Sequence, residues 1–551
     1  MFAKIKLKPL LIISFTLWYI CFIYFIDFGK IYELRHIVTS IPLLSKTDPV
    51  FDEAITNINT LNLNFSKITD LFFSWAYLFP NPLPHYIIEI DNKDLSKLES
   101  AAQEALRQPS SFLTDEYNIN APAIFRADGK KYQISVRYRG DLAGHWQNYK
   151  KSWKLIFKDP PYFNQIHRLN LIIPEDPGYF RSALSKSVSR KLGLMTKEDD
   201  FVHVTLNNAD QGIYYMTDDF NDDFLERHQK PPGNLYSDRF GDVPWSNNMH
   251  LTSDIGDWKK LTIDPTRSEQ DFTDLYALLK LINSQPPVTL EKYTNRIDLN
   301  SFLNWQVHSI LMGSQHQDYT HNAKLYSNTS TGLFEFIPND VIFAALTLLE
   351  NKDCQSLDFF YNPFVDVLLS YSEILLERNK LLWKYVSNPQ NLIEELEFVK
   401  RLKNETNIAF YTGLYQSSIL QMKYNTYRLT QGITERYSYI EDFFKSPIPT
   451  VQVRNAASEV NIQIVFPGGV GYSVESITLK ANANTQEIKV NKDYLPHFDA
   501  NKNTSRRCKT YAIDTFAKTL PCPDCQNTTV SIKMRNLTTN EYIQPIIKYE
   551  N

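Results

Sequence analysis

The hydrophobic period changes twice along this chain, and each change restricts what the segment can become. From about residue 86 to 216, short apolar runs alternate with polar residues and turn signals, as strands require. Between 266 and 445 the apolar residues recur at helical spacing. Beyond Pro447 and Pro449 strict alternation returns, in Val460-Asn-Ile462-Gln-Ile464 and again in Val530-Ser-Ile532-Lys-Met534.

Within the first block, 86–90 reads as a strand and 95–106 as an amphipathic helix. The segments 123–126 and 132–139 pair as a hairpin turned by Asp128-Gly129. A second hairpin, 202–206 with 212–216, turns around Asn207 and Asn208. Segments 152–157 and 169–173 are further strands, and 181–192 is a helix ended by Gly193. The block is expected to be a small sheet with a helix beside it. In the second block, helices are expected over 272–282, 299–311, 363–382 and 391–444, with short strands at 324–326 and 334–337.

The N-terminus carries a different signal. Lys4, Lys6 and Lys8 precede an apolar run over 9–26. About 17 to 20 apolar residues suffice for a helix that crosses a bilayer. The lysines predict a cytoplasmic N-terminus, and no small-residue cleavage site follows the run. The expectation is a single-pass anchor that contacts the membrane and holds the bulk of the chain outside the cytoplasm.

The remainder is globular in composition, with 43 % hydrophobic and 22 % charged residues in 551. A net charge of −4 argues against a nucleic-acid partner. Cys508, Cys522 and Cys525 cluster near the C-terminus, too few for a four-ligand zinc site. A local disulfide is the expected reading in an oxidising compartment.

Three segments could carry chemistry. The first runs Val136-Arg-Tyr-Arg139-Gly140-Asp-Leu-Ala-Gly144 and continues to Lys150-Lys151-Ser-Trp-Lys154. Glycines let backbone amides approach phosphates, and a strand lysine can fix a positive charge beside them. A hairpin with surface lysines has the same pattern. The second segment, Asp318-Tyr-Thr-His321-Asn322 before a strand, has the layout of a phosphoryl-transfer loop or of a polar turn. The third places Asp340 just after an apolar strand, where it could hold a metal or cap a turn.

Taken together, these segments resemble the CotH kinase family, named for a spore-coat protein. The resemblance runs over about 86–445. It rests on Arg139-Gly140 with Lys150-Lys151-Ser-Trp-Lys154, Phe180-Arg181-Ser-Ala-Leu, Val204-Thr-Leu-Asn207 with Gly212 to Asp218, Asp318 with Asn322, and Ile337-Pro-Asn-Asp340. It implies an α+β, two-lobed protein-kinase-like fold and ATP-dependent transfer of a phosphoryl group to a protein. Asp318 would be catalytic, and Asn322 and Asp340 would hold Mg2+ or Mn2+. Lys151 would face the ATP phosphates, with Lys154 as the alternative on the other face of the strand. Arg139, Gly140 and Gly144 would shape the phosphate turn, and Asp218 would lie at the hinge. The family usually has Trp-Asp-x-Asp where this chain has Asn339-Asp340-Val-Ile342, so the second acidic residue is missing. The alternative that this implies is a catalytically degenerate surface scaffold.

The expected organisation is then a cytoplasmic tip and transmembrane helix over 1–29, a helical stalk over 30–85, a β-rich N-lobe over 86–265, a helical C-lobe over 266–445, and a β-sandwich over 446–551.

Overall fold

The computed structural model describes residues 71–550 except 109–112, 115, 141–142, 147–149, 161, 177, 240–250, 285–287, 345–355, 359–361, 413–418, 457, 482–483, 499–508, 513–514, 523–524 and 526. The first block does not stay an open sheet. Strands β1 (His85–Ile90), β2 (Ala121–Ala127), β3 (Lys130–Tyr138), β4 (Trp153–Phe157), β5 (Arg168–Ile172), β6 (Asp199–Leu206) and β7 (Ala209–Asp218) form a closed barrel in the order β1-β2-β3-β4-β5-β7-β6. The closing contact is a parallel pairing of β1 with β6, His85 opposite His203 and Ile88 opposite Leu206.

Local chemistry explains the two hairpins. Asp128 (φ 51°) and Gly129 (φ 72°) both occupy the left-handed region that a two-residue turn requires. Asn207 (φ 47°) and Asn208 (φ 64°) do the same between β6 and β7. Alternation then sends one face of each strand inward. Ile88, Phe125, Val136, Leu155, Phe157 and Leu169 are fully buried, and Phe125 meets the rings of Tyr86, Phe157 and Phe163 at 5.1, 5.4 and 5.2 Å. Helix α1 (Asn92–Arg107) packs Leu98, Ala102 and Ala105 onto the same core.

Two helices follow the barrel strands, α2 (Arg181–Lys191) and α3 (Asp222–Arg227). A second sheet, in the order β11-β10-β8-β9, combines β8 (Asn234–Asp238), β9 (Trp258–Thr262), β10 (Lys324–Ser327) and β11 (Phe334–Phe336). Around it lie α4 (Thr273–Ile282), α5 (Leu290–Thr294), α6 (Leu299–Met312), α7 (Pro363–Leu368), α8 (Ser372–Val386), α9 (Pro389–Thr412) and α10 (Ile419–Lys445). The helix expected over 363–382 is two helices, because the backbone turns extended at Tyr371 (ψ 115°). The expected 391–444 run is likewise divided between α9 and α10.

C-terminal strands β12 (Thr450–Asn455), β13 (Glu459–Val465), β18 (Phe516–Pro521) and β21 (Ile546–Glu550) form one sheet. Strands β14 (Tyr472–Ala481), β15 (Asn484–Tyr494), β19 (Thr529–Asn536) and β20 (Tyr542–Ile543) form another. A short pair, β16 (His497–Phe498) with β17 (Tyr511–Ala512), stands apart from both. Val453 and Ile462 of the first sheet share a core with Val474 and Ile532 of the second, and that core continues into Leu382, Ile433 and Phe444 of the helices. The buried Cys525 thiol donates to the Cys522 carbonyl, and the Cys522 sulfur lies 3.3 Å from Thr528 Oγ1.

Two expectations are corrected here. The fold of the described residues is a mixed α+β arrangement of a closed β-barrel with helical regions, where a small sheet with a helix beside it and an N-terminal transmembrane helix were expected. Among the described residues no helix is long and apolar enough to cross a membrane. Helices α9 and α10 have the length, at 24 and 27 residues, but carry charged residues throughout. The membrane contact, the signal anchor and the extracytoplasmic placement are therefore withdrawn. The run over 9–26 and the stalk as far as residue 70 lie outside the described residues.

Phe125 is the hub of the barrel's aromatic cluster, so Phe125→Ala is expected to lower stability by about 3–5 kcal/mol. Chemical denaturation of the full chain measures this, and a loss under about 1 kcal/mol would contradict the packing described.

Candidate functional site

The pairing of β10 with β11 builds one half of the site. The strands run antiparallel with Leu325 opposite Phe336, so the residue before β10 and the residues after β11 emerge at the same end. There Asn322 (φ 63°) and Asp340 (φ 53°) both adopt left-handed backbone, which Asn and Asp tolerate better than other side chains. Asn322 Nδ2 donates to Asp340 Oδ2 at 3.4 Å and to the His316 carbonyl at 3.0 Å. Asn339 Nδ2 donates to Asn322 Oδ1 at 3.2 Å. His316 Nδ1 lies 3.3 Å from Asp340 Oδ2.

Asp318 sits in the loop between α6 and β10. Four donors converge on its Oδ1: the backbone N–H groups of Thr320 (2.8 Å) and His321 (3.2 Å), the Thr320 hydroxyl (2.7 Å) and His321 Nδ1 (2.8 Å). Burial pushes the Asp318 carboxyl up, but the His321 ring and the Thr320 donors outweigh it and hold the group below its ordinary value. The His316 and His321 rings stand 6.3 Å apart and link the two carboxylates.

Asp340 is depressed in a similar way. Surrounding protein raises it, and the His316 hydrogen bond and charge, then Arg139 and His321, more than reverse that. Its side chain is nevertheless 56 % exposed.

Cations form the other half. Strand β4 turns Trp153, Leu155 and Phe157 into the barrel, so Lys154 lies on its outer face. Lys154 pairs with Asp219, whose other oxygen is 3.9 Å from Lys197 Nζ. Lys197 also stands 4.1 Å over the Phe220 ring. Burial pushes Lys197 down to about 7; Asp219 opposes this, and the charges of Arg139, Lys186 and Lys324 lower it further. Lys186 of α2, hydrogen-bonded to the Tyr215 hydroxyl at 2.7 Å, is pushed down to about 8, chiefly by burial, and Asp340 is among the charges that act on it. Lys324 reaches Asp238 at 3.2 Å. Cations thus crowd one another beside Asp340.

Not every residue singled out in the sequence is drawn into this group. Lys151 donates to the Trp146 carbonyl (3.0 Å) and faces α1, where it lines a cavity of about 260 Å³ with Glu99, Ala102, Gln103, Leu106 and Trp146. Arg139 does act on Asp340 through its charge, while its own paired carboxylate is Asp176 at 3.5 Å, which also takes His145 Nδ1 at 2.8 Å. Gly140 (φ 97°) is required here, since a Cβ would fall 2.3 Å from the His145 ring. A Cβ at Gly144 would meet nothing within 4 Å, so its space imposes no such demand. Asp218 is buried and ion-paired with Arg227, while its neighbour Asp219 takes the lysines. Asp219, Lys186 and Lys197 belong to no motif that the sequence displays. The Asp218-Asp219 doublet at the end of a strand was their only local signal.

Comparison with known proteins agrees with the motif order. The sequence model of the family described as CotH kinase protein matches residues 136–427, more than half of the chain. The chain belongs to the CotH kinase protein family. Within that family it is 26 % identical over 266 residues to the inner spore coat protein H of Bacillus subtilis (strain 168), which covers 47 % of this chain and 68 % of that protein. Among solved structures, the Helicobacter pylori proinflammatory kinase CtkA is 14 % identical, covering 52 % of this chain and 91 % of that one, with a TM-score of 0.27. HipA, from the toxin–antitoxin complex of Shewanella oneidensis MR-1, is 10 % identical over 64 % of this chain and 73 % of that one, with a TM-score of 0.25. Both structural likenesses are too distant to carry an argument.

The CotH match makes a divalent cation a specific question for these residues. Among the described residues no group of three or more His, Cys, Asp and Glu side chains forms a metal cage. Mg2+ needs none, because one or two carboxylates with substrate phosphates and waters complete its octahedron. Asp340 and Asn322 supply hard oxygen donors that fit, provided that the Asn322 amide turns its oxygen toward Asp340. That turn gives up the Asn322 bond to the His316 carbonyl and the bond that Asn322 Oδ1 accepts from Asn339.

The His316–Asp340 pair sets a pH window. His316 is raised above 6.5, chiefly by its bond to Asp340 and against burial. Its contribution is therefore complete below 6.5 and is lost as pH rises through the raised value. The contribution of Asp340 is complete above 3.8 and is lost as pH falls through the depressed value. Asp340→Asn should lower the His316 pKa, read from its ring NMR signals. An unchanged titration would contradict the pairing.

Proposed function

We propose that this CotH-family protein transfers a phosphoryl group from ATP to a protein acceptor, with Mg2+ or Mn2+ held at Asp340 and Asn322. The observation that carries this reading is the cluster in which Asn322 and His316 meet Asp340, His321 meets Asp318, and the charges of Arg139 and Lys186 interact with Asp340. Phosphoryl transfer depends mainly on positioning and on neutralising phosphate charge, and that division of anions and cations suits it. The acceptor class follows the resemblance in motif order.

Each residue then has a role. Asp318 stays ionised at neutral pH because His321 and Thr320 hold its Oδ1. Its Oδ2 can align the acceptor hydroxyl and take the proton. A divalent cation held by Asp340 and Asn322 would supply positive charge to offset the phosphates. Asp340 and Asn322 fix its place, and His316 orients Asp340. Lys154 rather than Lys151 is positioned to contact the phosphates, since it shares Asp219 with Lys197 and lies on the outer face of β4. Lys197, held near 7 by burial and by neighbouring cations, gains from an incoming anion.

The second reading is a nucleotide-free scaffold. It draws on the lack of a second acidic residue after Asp340, where Ile342 stands.

Thermal shift of the full chain with ATP separates the two. Metal-dependent stabilisation that disappears in Asp340→Ala supports the kinase reading. No shift at millimolar nucleotide supports the scaffold. Asp318→Ala should keep the nucleotide shift but lower transfer by about a hundredfold or more. Unchanged transfer would remove Asp318 from the mechanism.

A further inference from the structure

The C-terminal strands lie beyond the family match, which ends at residue 427, yet their hydrogen bonds lead back to the loop that carries Asp318. Four contacts hold one segment. Lys509, just before β17, donates its backbone N–H to the Asp358 carbonyl at 2.9 Å. The Tyr511 hydroxyl donates to Asp358 Oδ2 and accepts from Ser356 Oγ at 3.1 Å. Lys509 Nζ reaches Asp366 Oδ2 of α7 at 2.9 Å.

Asp358 is itself fixed. Arg378 of α8 meets it with two parallel bonds of 2.8 Å, and both residues are buried. Such a bidentate pair is geometrically specific. Asn379, beside Arg378, accepts from its Nε at 2.9 Å and donates to the Gly469 carbonyl at 3.0 Å, a second tie to the C-terminal sheets.

Asn362 lies between these two anchors. It caps α7, accepting from Phe364 N at 3.0 Å. Its Nδ2 donates to the carbonyls of Gln317 (3.0 Å) and Asp318 (3.4 Å). Asn362 is buried, so both contacts are shielded from water. The peptide on either side of the Asp318 α-carbon is therefore gripped by a segment that the C-terminal hairpin holds at both ends.

We propose that the C-terminal module positions Asp318, with Asn362 as the positioning residue and with Lys509 and Tyr511 as the contacts that hold it. The inference rests on the phosphoryl-transfer reading for its effect on rate, and on the hydrogen bonds alone for its effect on the loop.

The test uses the full chain. Asn362→Ser keeps an oxygen to cap α7 and removes the amide donor. Lys509→Met breaks the bond to Asp366, and Lys509→Arg restores a cation. The Thr320 and His321 amides bonded to Asp318 Oδ1 report on the loop by hydrogen–deuterium exchange. Asn362→Ser should speed their exchange by about three- to tenfold, the equivalent of one lost hydrogen bond. The barrel amides should be unaffected. Transfer kcat should fall by a similar factor at unchanged KM for nucleotide. Lys509→Met should move both readouts in the same direction, and Lys509→Arg should reverse them. Unchanged exchange at Thr320 and His321 in both Asn362→Ser and Lys509→Met would overturn the proposal. A change spread evenly over the whole chain would overturn it too. If the unaltered protein transfers no phosphate, the kinase reading fails while the exchange measurement still decides the positioning claim.

Discussion

The buried pair between Arg378 and Asp358 joins parts of the chain that sequence distance keeps apart. Removing two charges from water is costly, and the pair persists because its geometry is bidentate and the remaining atoms are occupied by Asn379 and Tyr511. Around it meet a helix, the segment leading to α7, and the C-terminal hairpin. Breaking one partner leaves an uncompensated charge in the interior, at a cost of about 3–5 kcal/mol. The helices and C-terminal sheets already share one hydrophobic core. The ion pair adds direction to that contact, and Asn362 passes it to the loop of Asp318.

The candidate site is a balance between two charged halves. On one side Asp318 and Asp340 are kept ionised by histidines and amides. On the other, Lys154, Lys186, Lys197 and Arg139 crowd together, with Asp219 as the anion that Lys154 and Lys197 share. A depressed lysine beside other cations is a local demand for negative charge. The barrel's role is to fix the lysine strand. Because β4 alternates strictly, filling its inner face with Trp153, Leu155 and Phe157 compels Lys154 outward.

Much of this was legible in the chain before any coordinates. Asp128-Gly129 and Asn207-Asn208 specify their hairpins through left-handed backbone, a purely local property. Asp318, Asn322 and Asp340 stand out in the sequence as candidates, and β10–β11 pairing brings Asn322 and Asp340 to the same end of the sheet. What sequence could not supply is non-local. Barrel closure depends on a parallel contact between β1 and β6, more than a hundred residues apart. The choice between Lys151 and Lys154 depends on which face of the strand meets the helices. Asp219 is 65 residues from Lys154, and nothing near either residue announces the pairing. The N-terminal apolar run was read as an anchor that the described fold does not support.

The proposed site puts phosphates on the outer face of β4, beside Lys154, and not against α1, beside Lys151. Isothermal titration of full-length Lys154→Met and Lys151→Met with Mg-ATP tests it directly. Loss of a charged phosphate contact at Lys154 should weaken binding by about tenfold or more, while Lys151→Met should bind as the unaltered protein does. The reverse pattern would place the nucleotide against α1 and contradict the site described.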